Sequence, residues 1–262
     1  MYAFDFVRPA SVDEALAALK DEEAQPLAGG QTLIPALKSR LAAPEKLVSL
    51  SAIDALKGLR REGDELVIGA GTTHAEVAEG AVWDFPALAA LAAGIGDPAV
   101  RNRGTIGGSL ANNDPSACYP AAALGAGATI VTNAREIAAD DYFEGMFTTA
   151  LEEGELITEI RFPIPEAAHY EKFEQPASRF ALVGVFLARF ADGVRVAVTG
   201  ASEAGVFRWS EAEAALSGSF GAEALKGLSV PAEGMIGDVH GTPAYRAHLV
   251  GVLTARAVAA AG

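Results

Sequence analysis

The sequence predicts an α+β fold: a two-lobed N-terminal unit, with lobes over about residues 1–55 and 56–166, followed by a domain of sheet and helices over 167–262. Three observations carry this expectation. Short strand-like runs alternate with capped helical runs through the first half. A glycine-dense polar stretch, Gly94 to Asn113, interrupts them and reads as one long functional loop. After the break at Pro163-Ile-Pro165, two apolar runs, Ala181 to Phe190 and Val194 to Thr199, flank Ala191-Asp-Gly193 as the arms of a hairpin flank its turn.

In order along the chain, Ser11-Val-Asp-Glu14 is a capping-box pattern, and Ala15, Leu16 and Leu19 give its helix an apolar face. A strand is expected near Gln25 to Ala28. Gly29-Gly30 breaks it, a helix runs from about Thr32 to Leu41, and Leu47 to Leu50 forms a second strand. Leu59 to Ile68 reads as a hairpin with Glu62-Gly63-Asp64 at its tip. Thr73-His-Ala-Glu76 is a second capping box, and Phe85 to Ala93 is helical. Thr129 to Thr132 and Leu156 to Phe162 are strands. Ser210 to Leu216 and Pro243 to Ala261 are helices, the latter with Leu249, Leu253 and Ala257 on one face.

Composition narrows the function. Acidic residues outnumber basic ones 34 to 20, a net charge of -14, so a nucleic-acid partner is not expected. One cysteine, Cys118, permits no intrachain disulfide and no four-cysteine iron–sulfur cluster. With no basic-then-apolar leader pattern over Met1 to Pro9, this predicts a cytoplasmic protein. The uncharged stretch Pro115 to Ala134 contains Pro120, Gly125, Gly127 and Asn133 and reads as loop, short helix and strand, not as a membrane span. The four histidines, His74, His169, His240 and His248, show no metal-ligand spacing, so no metal site is expected, and His74 reads as a surface residue at a helix start.

Two glycine motifs hold the chemistry. In Leu27-Ala-Gly-Gly-Gln-Thr-Leu33 the backbone can turn sharply and a ligand can approach it, with a helix start just beyond. Alone, this segment reads as an ordinary strand–helix turn. Arg103-Gly-Thr-Ile-Gly-Gly-Ser109 repeats the device with Thr105 and Ser109 hydroxyls, and Asn112, Asn113 and Asp114 follow with groups suited to sugar hydroxyls. Two such turns suit a cofactor with a central pyrophosphate. Gly94-Ile-Gly-Asp-Pro-Ala99 matches a dinucleotide fingerprint in letters only, because an alanine-rich helix precedes it where a strand is required.

The segments PLAGGQTLIPALKSRLAAPEKLVSLSAI, IGAGTTHAEV, VRNRGTIGGSLANNDPSACYPAAAL, GELITEIRFP and YEKFEQPASRFALVGV resemble the FAD-binding medium subunit of the xanthine dehydrogenase and carbon monoxide dehydrogenase family. The likeness covers nearly the whole chain and is weakest over Val206 to Gly241. It implies a PCMH-type FAD-binding domain followed by a C-terminal domain of the CO dehydrogenase flavoprotein type. It implies non-covalent FAD and an electron-transfer role. Molybdopterin would reside on a large partner subunit and two [2Fe–2S] clusters on a small one, in a dimer of heterotrimers. By position, Leu27, Ala28, Gly29, Gly30, Gln31, Thr32 and Leu33 resemble the first FAD loop, and Thr105, Gly108 and Ser109 the second. Ile95 and Val100 fall in the intervening contact segment, Asn112 and Asp114 in the stretch nearing the ribityl chain, and Ile157 on a strand expected at the adenine or ribose end. Either Phe173 or Phe180 is expected near the flavin ring. Cys118 stands where many relatives have aspartate, and reads as a small buried residue or as a redox-active one. The alternative function is a stand-alone flavin oxidoreductase with its own substrate pocket.

Overall fold

The computed structural model describes residues 1–262. Strand β1 (Asp5–Val7) leads into α1 (Val12–Ala18), whose first free N–H groups need a cap. The Ser11 hydroxyl accepts from the Glu14 N–H at 3.2 Å, and Glu14 reaches past Ser11 to take the Ala10 N–H at 2.8 Å. Then come β2 (Ala24–Leu27), α2 (Leu33–Lys38) and β3 (Lys46–Ser49). The three strands form a parallel sheet in the order β1-β3-β2. Because they are parallel, their carboxyl ends share one edge, where ligands of α/β sheets commonly bind. A small core of Ala15, Val48, Ile53, Leu56 and Leu156 backs the sheet.

The next stretch opens with the hairpin β4 (Leu59–Glu62) and β5 (Glu65–Gly69), then α3 (His74–Gly80) and α4 (Pro86–Ala93). Two short helices follow, α5 (Pro98–Arg101) and α6 (Ile106–Asn112). Gly94 to Asn113 is therefore not one loop. Asp97 caps α5 with Pro98 at its first position, and Thr105 caps α6. Glycine lowers helix propensity, but in α6 it serves packing. A Cβ at Gly107 would lie 2.6 Å from the Ala70 Cβ, so only glycine lets α6 settle onto the strand end.

Next come α7 (Tyr119–Ala126), β6 (Thr129–Thr132), β7 (Glu136–Ala138), α8 (Ala139–Tyr142), the small pair β8 (Phe143–Gly145) and β9 (Thr148–Thr149), and β10 (Ile157–Pro163). The sheet order is β4-β5-β10-β6-β7, all antiparallel. A register shift between Ile157 and Glu159 changes the phase of β10, so Ile157, Ile160 and Phe162 are all buried.

Between Pro163 and Ala167 the chain enters a second antiparallel sheet. It is the meander β11 (Ala167–Glu174), β12 (Ala181–Phe190), β13 (Gly193–Ser202) and β14 (Gly205–Arg208), followed by α9 (Ser210–Gly218) and α10 (Pro243–Ala261). One face, with Leu182, Val185, Leu187, Val196 and Val198, packs under α9 and α10. The other contributes Phe186, Ala188 and Ala197 to the main core, beside Phe85, Tyr119 and Phe162. Covered on both faces, β12 reads as a continuous apolar run rather than an alternating one.

Candidate functional site: a cleft where two glycine turns meet

A cleft of about 310 Å³ lies at the carboxyl edge of the parallel sheet. Arg8 enters it just after β1, Leu27 to Gly30 after β2, and Ser49 and Ser51 at the end of β3. Phe6 and Ile34 add apolar walls, and Arg103 closes it from the other lobe. The first glycine turn is thus central to the cleft. Gly30 sits at φ +74°, a left-handed conformation that side chains disfavour. The N–H groups of Gly29, Gly30, Gln31 and Thr32 have no protein acceptor. The Thr32 hydroxyl makes no cap bond, and the Gln31 amide folds back on the Gly29 carbonyl at 3.4 Å.

The second turn is built differently. Its N–H groups are spent within the protein: Ile106 donates to the Thr72 carbonyl, Gly107 to Ala70, Gly108 to the Thr105 hydroxyl and Ser109 to the Thr105 carbonyl. Its value lies in close approach. A Cβ at Gly29 would fall 2.1 Å from the Arg103 carbonyl oxygen and 2.6 Å from the Gly104 Cα. A Cβ at Gly108 would meet only the Thr105 hydroxyl and, at 3.6 Å, the Ala28 Cβ. The two turns therefore touch backbone to backbone and leave a bare strip between them.

The surrounding residues hold this strip. The Arg101 guanidinium donates to the Ile95 and Gly96 carbonyls at 3.1 and 2.9 Å, fixing the turn before α5. The Val100 carbonyl takes the Gly104 N–H at 2.7 Å. Ile95 and Val100 thus support the second turn through their backbones. Asn112 is half-buried at the end of α6, and the Asp114 carboxylate accepts from the Ser116 N–H at 2.8 Å. Asn113, offered by the sequence as a hydroxyl binder, is buried at φ 42° and donates to the Gly145 and Thr148 carbonyls. Ile157 lies in the main core on β10, away from the cleft lining.

His74 is also corrected. It is buried, not on the surface, and burial together with the nearby Arg101 charge lowers its pKa to about 4. Its ring lies against Tyr119, centroids 5.3 Å apart, and neither His74 Nδ1 nor the Tyr119 hydroxyl has a partner. A Cβ at Gly104 would come 2.5 Å from His74 Nε2, so this ring forms the floor under the second turn.

Sequence reasoning missed Lys172. Its buried ammonium donates to the Gly94 and Arg179 carbonyls at 2.6 and 2.9 Å and lies 3.9 Å from the Cys118 Sγ. Cys118 is buried, and burial pushes its thiol pKa up, which suits a packing role over a reactive one. Phe180 packs edge-on to His240 and Phe173 edge-on to Tyr245. A second cleft, of about 540 Å³, opens at Pro115 and Ser116, just beyond α6, and reaches Met146 and Arg246. On α6, Ile106, Gly107 and Leu110 are buried and Gly108, Ser109 and Ala111 are turned outward.

A bare cradle of free N–H groups, closed by a second glycine turn, fits a diphosphate with extended groups on either side. Comparison with known proteins decides which one. Residues 2–165 match the family described as the FAD binding domain in molybdopterin dehydrogenase. The chain belongs to this family. The likeness to its members continues to the C-terminus: identity to the carbon monoxide dehydrogenase medium chain of Hydrogenophaga pseudoflava is 33% over 98% of this chain and 96% of that one. Against the corresponding chain of Afipia carboxidovorans it is 44% over 190 residues, 68% of this chain and 66% of the relative. The fold superposes on reconstituted CO dehydrogenase from Oligotropha carboxidovorans with a TM-score of 0.89, 34% identity, and coverage of 99% and 98%. As a member of the family, the chain is an oxidoreductase component of the medium-chain type, and its cofactor is FAD. No helix is long and apolar enough to cross a membrane.

Proposed function

We propose that this chain is the FAD-carrying electron-transfer subunit of a heteromeric molybdenum hydroxylase. It passes electrons from [2Fe–2S] clusters on a small partner subunit to an external acceptor, while a large molybdopterin subunit oxidises the substrate. The assembly is a dimer of heterotrimers in the cytoplasm. The observation that carries this is the first glycine turn, with its free N–H groups against the second turn, in a chain of this family.

When bound, FAD supplies the redox centre. The protein's part is to hold and orient it. The N–H groups from Gly29 to Thr32 would donate to the pyrophosphate, with Leu27, Ala28 and Leu33 shaping the turn. Thr105 and Ser109 offer hydroxyls, and Gly108 leaves room beside them. Ile95 and Val100 brace the second turn, Asn112 and Asp114 would approach the ribityl chain, and Ile157 packs in the main core on β10. No acid–base group acts on the organic substrate.

The test is anaerobic. The FAD-loaded chain alone, mixed with purines, aldehydes or carbon monoxide, keeps its flavin absorbance; adding the large and small subunits bleaches it for the complex's own substrate. Rapid bleaching by the chain alone would instead establish a stand-alone flavin oxidoreductase.

A further inference from the structure

We infer that Arg8 and Arg103, one from each lobe, form a clamp on the diphosphate of the cofactor. The inference rests on the cleft at Gly29-Gly30 being the FAD site. Neither residue is among those that the family resemblance assigns to FAD.

The protein carries -14 overall, an environment that repels a diphosphate. Its arginines are mostly neutralised: Arg60, Arg135, Arg161, Arg195, Arg208 and Arg246 are each held by a carboxylate. Arg8 and Arg103 differ. Both are exposed, and neither makes a side-chain hydrogen bond or an ion pair. Both line the same cleft, and no aspartate or glutamate lines it with them. Guanidiniums free of any carboxylate, on residues that line a cleft without an acid, are open to an anion from outside the chain.

Position narrows the anion. Arg8 follows β1 on the sheet edge, and the Arg103 carbonyl sits where a Gly29 Cβ would be. The two thus flank the turn whose N–H groups are free. Backbone donors supply direction, and the planar guanidinium forks supply charge and paired hydrogen bonds, the combination that phosphate recognition uses. Phe6, exposed on the same wall, offers a flat apolar face to a neighbouring base.

A consequence concerns the lobes. The first lobe has a small core that it shares with Leu56 and Leu156 of the second, and its Gly29 turn abuts the Arg103 carbonyl. An anion gripped from both sides ties the lobes together, so cofactor binding protects the first lobe from protease.

The experiment uses the full-length protein with whatever subunits co-purify with it, stripped of FAD and titrated with FAD or ADP. Arg8→Ala and Arg103→Ala each raise the FAD dissociation constant by about tenfold or more, as loss of a charge-assisted bond does. ADP affinity falls by a similar factor, riboflavin binding is unmoved, and affinity depends less on salt. Arg8→Lys recovers part of the loss. Arg40→Ala, which removes an exposed arginine over the Tyr2 ring of the same lobe, is the control and leaves affinity unchanged. FAD slows tryptic cleavage of the first lobe in the unaltered protein and not in the double alanine variant. Unchanged FAD affinity in both single variants overturns the clamp while leaving the FAD site standing, as does a loss for FAD without a loss for ADP. Failure of the unaltered protein to bind FAD overturns both.

Discussion

Gly29 shows how much of a site one missing methyl group can decide. The Gly-Gly pair is visible in the sequence, and the left-handed turn at Gly30 follows from it. The reason for Gly29 is not visible, because its neighbour is the Arg103 carbonyl, 74 residues away in the chain. A Gly29→Ala protein must push the turns apart. It is expected to lose FAD and to be destabilised by about 1–3 kcal/mol, read by flavin content and denaturant melts. His74 is a second case. As a polar residue at a helix start it looked exposed, and only the fold reveals the Tyr119 ring and the Gly104 backbone around it. Its folded pKa of about 4 lies below the ordinary 6.5, so the unfolded chain binds the proton more readily. Stability is therefore full above about pH 6.5 and falls as the pH drops toward 4, by up to about 3 kcal/mol. His74→Phe should flatten that part of the pH–stability curve; an unchanged slope would place the titrating group elsewhere.

Among the elements, those with strong local signals were legible: the capped α1 and α3, the β4–β5 hairpin, and the long apolar arms of β12 and β13. α5 and α6 were not, because glycine and polar residues conceal helices made by caps and by close packing. Thr105 fixes the start of α6. Its hydroxyl is the N-cap acceptor for Gly108 at 3.1 Å. Thr105→Ala is expected to cost about 1 kcal/mol in thermal or chemical denaturation. Thr105→Ser should restore most of it. β11 was missed for another reason. All but its last two residues are half-buried, so it shows no alternation, and it pairs along β12 as an edge strand with α10 and α4 packed against it.

Across the whole molecule, the proline-marked step at 163–165 was legible as a change of element, whereas the packing across it was not. Phe186, Ala188 and Ala197 of the later sheet sit in the same core as the second lobe. Asp140 adds an ionic tie, accepting from Arg195 at 2.7 Å and Arg208 at 3.0 Å. The pair partners are partly exposed, so Asp140→Ala is expected to lower stability by no more than about 1 kcal/mol. Phe186→Ala, which empties a buried aromatic site touching Phe85, should cost about 3–5 kcal/mol and loosen both sheets together in hydrogen exchange. The cofactor site belongs to this scale as well, because its walls come from both lobes and from segments far apart in sequence. Gly108 probes it most cleanly: a side chain there meets only the Thr105 hydroxyl and the Ala28 methyl before entering the strip between the turns. The decisive measurement is the ratio of flavin to protein absorbance in purified Gly108→Val beside the unaltered protein, with circular dichroism to confirm the fold. A folded protein that has lost its FAD is the predicted result; a folded protein with undiminished FAD would contradict the placement of the cofactor between the two glycine turns.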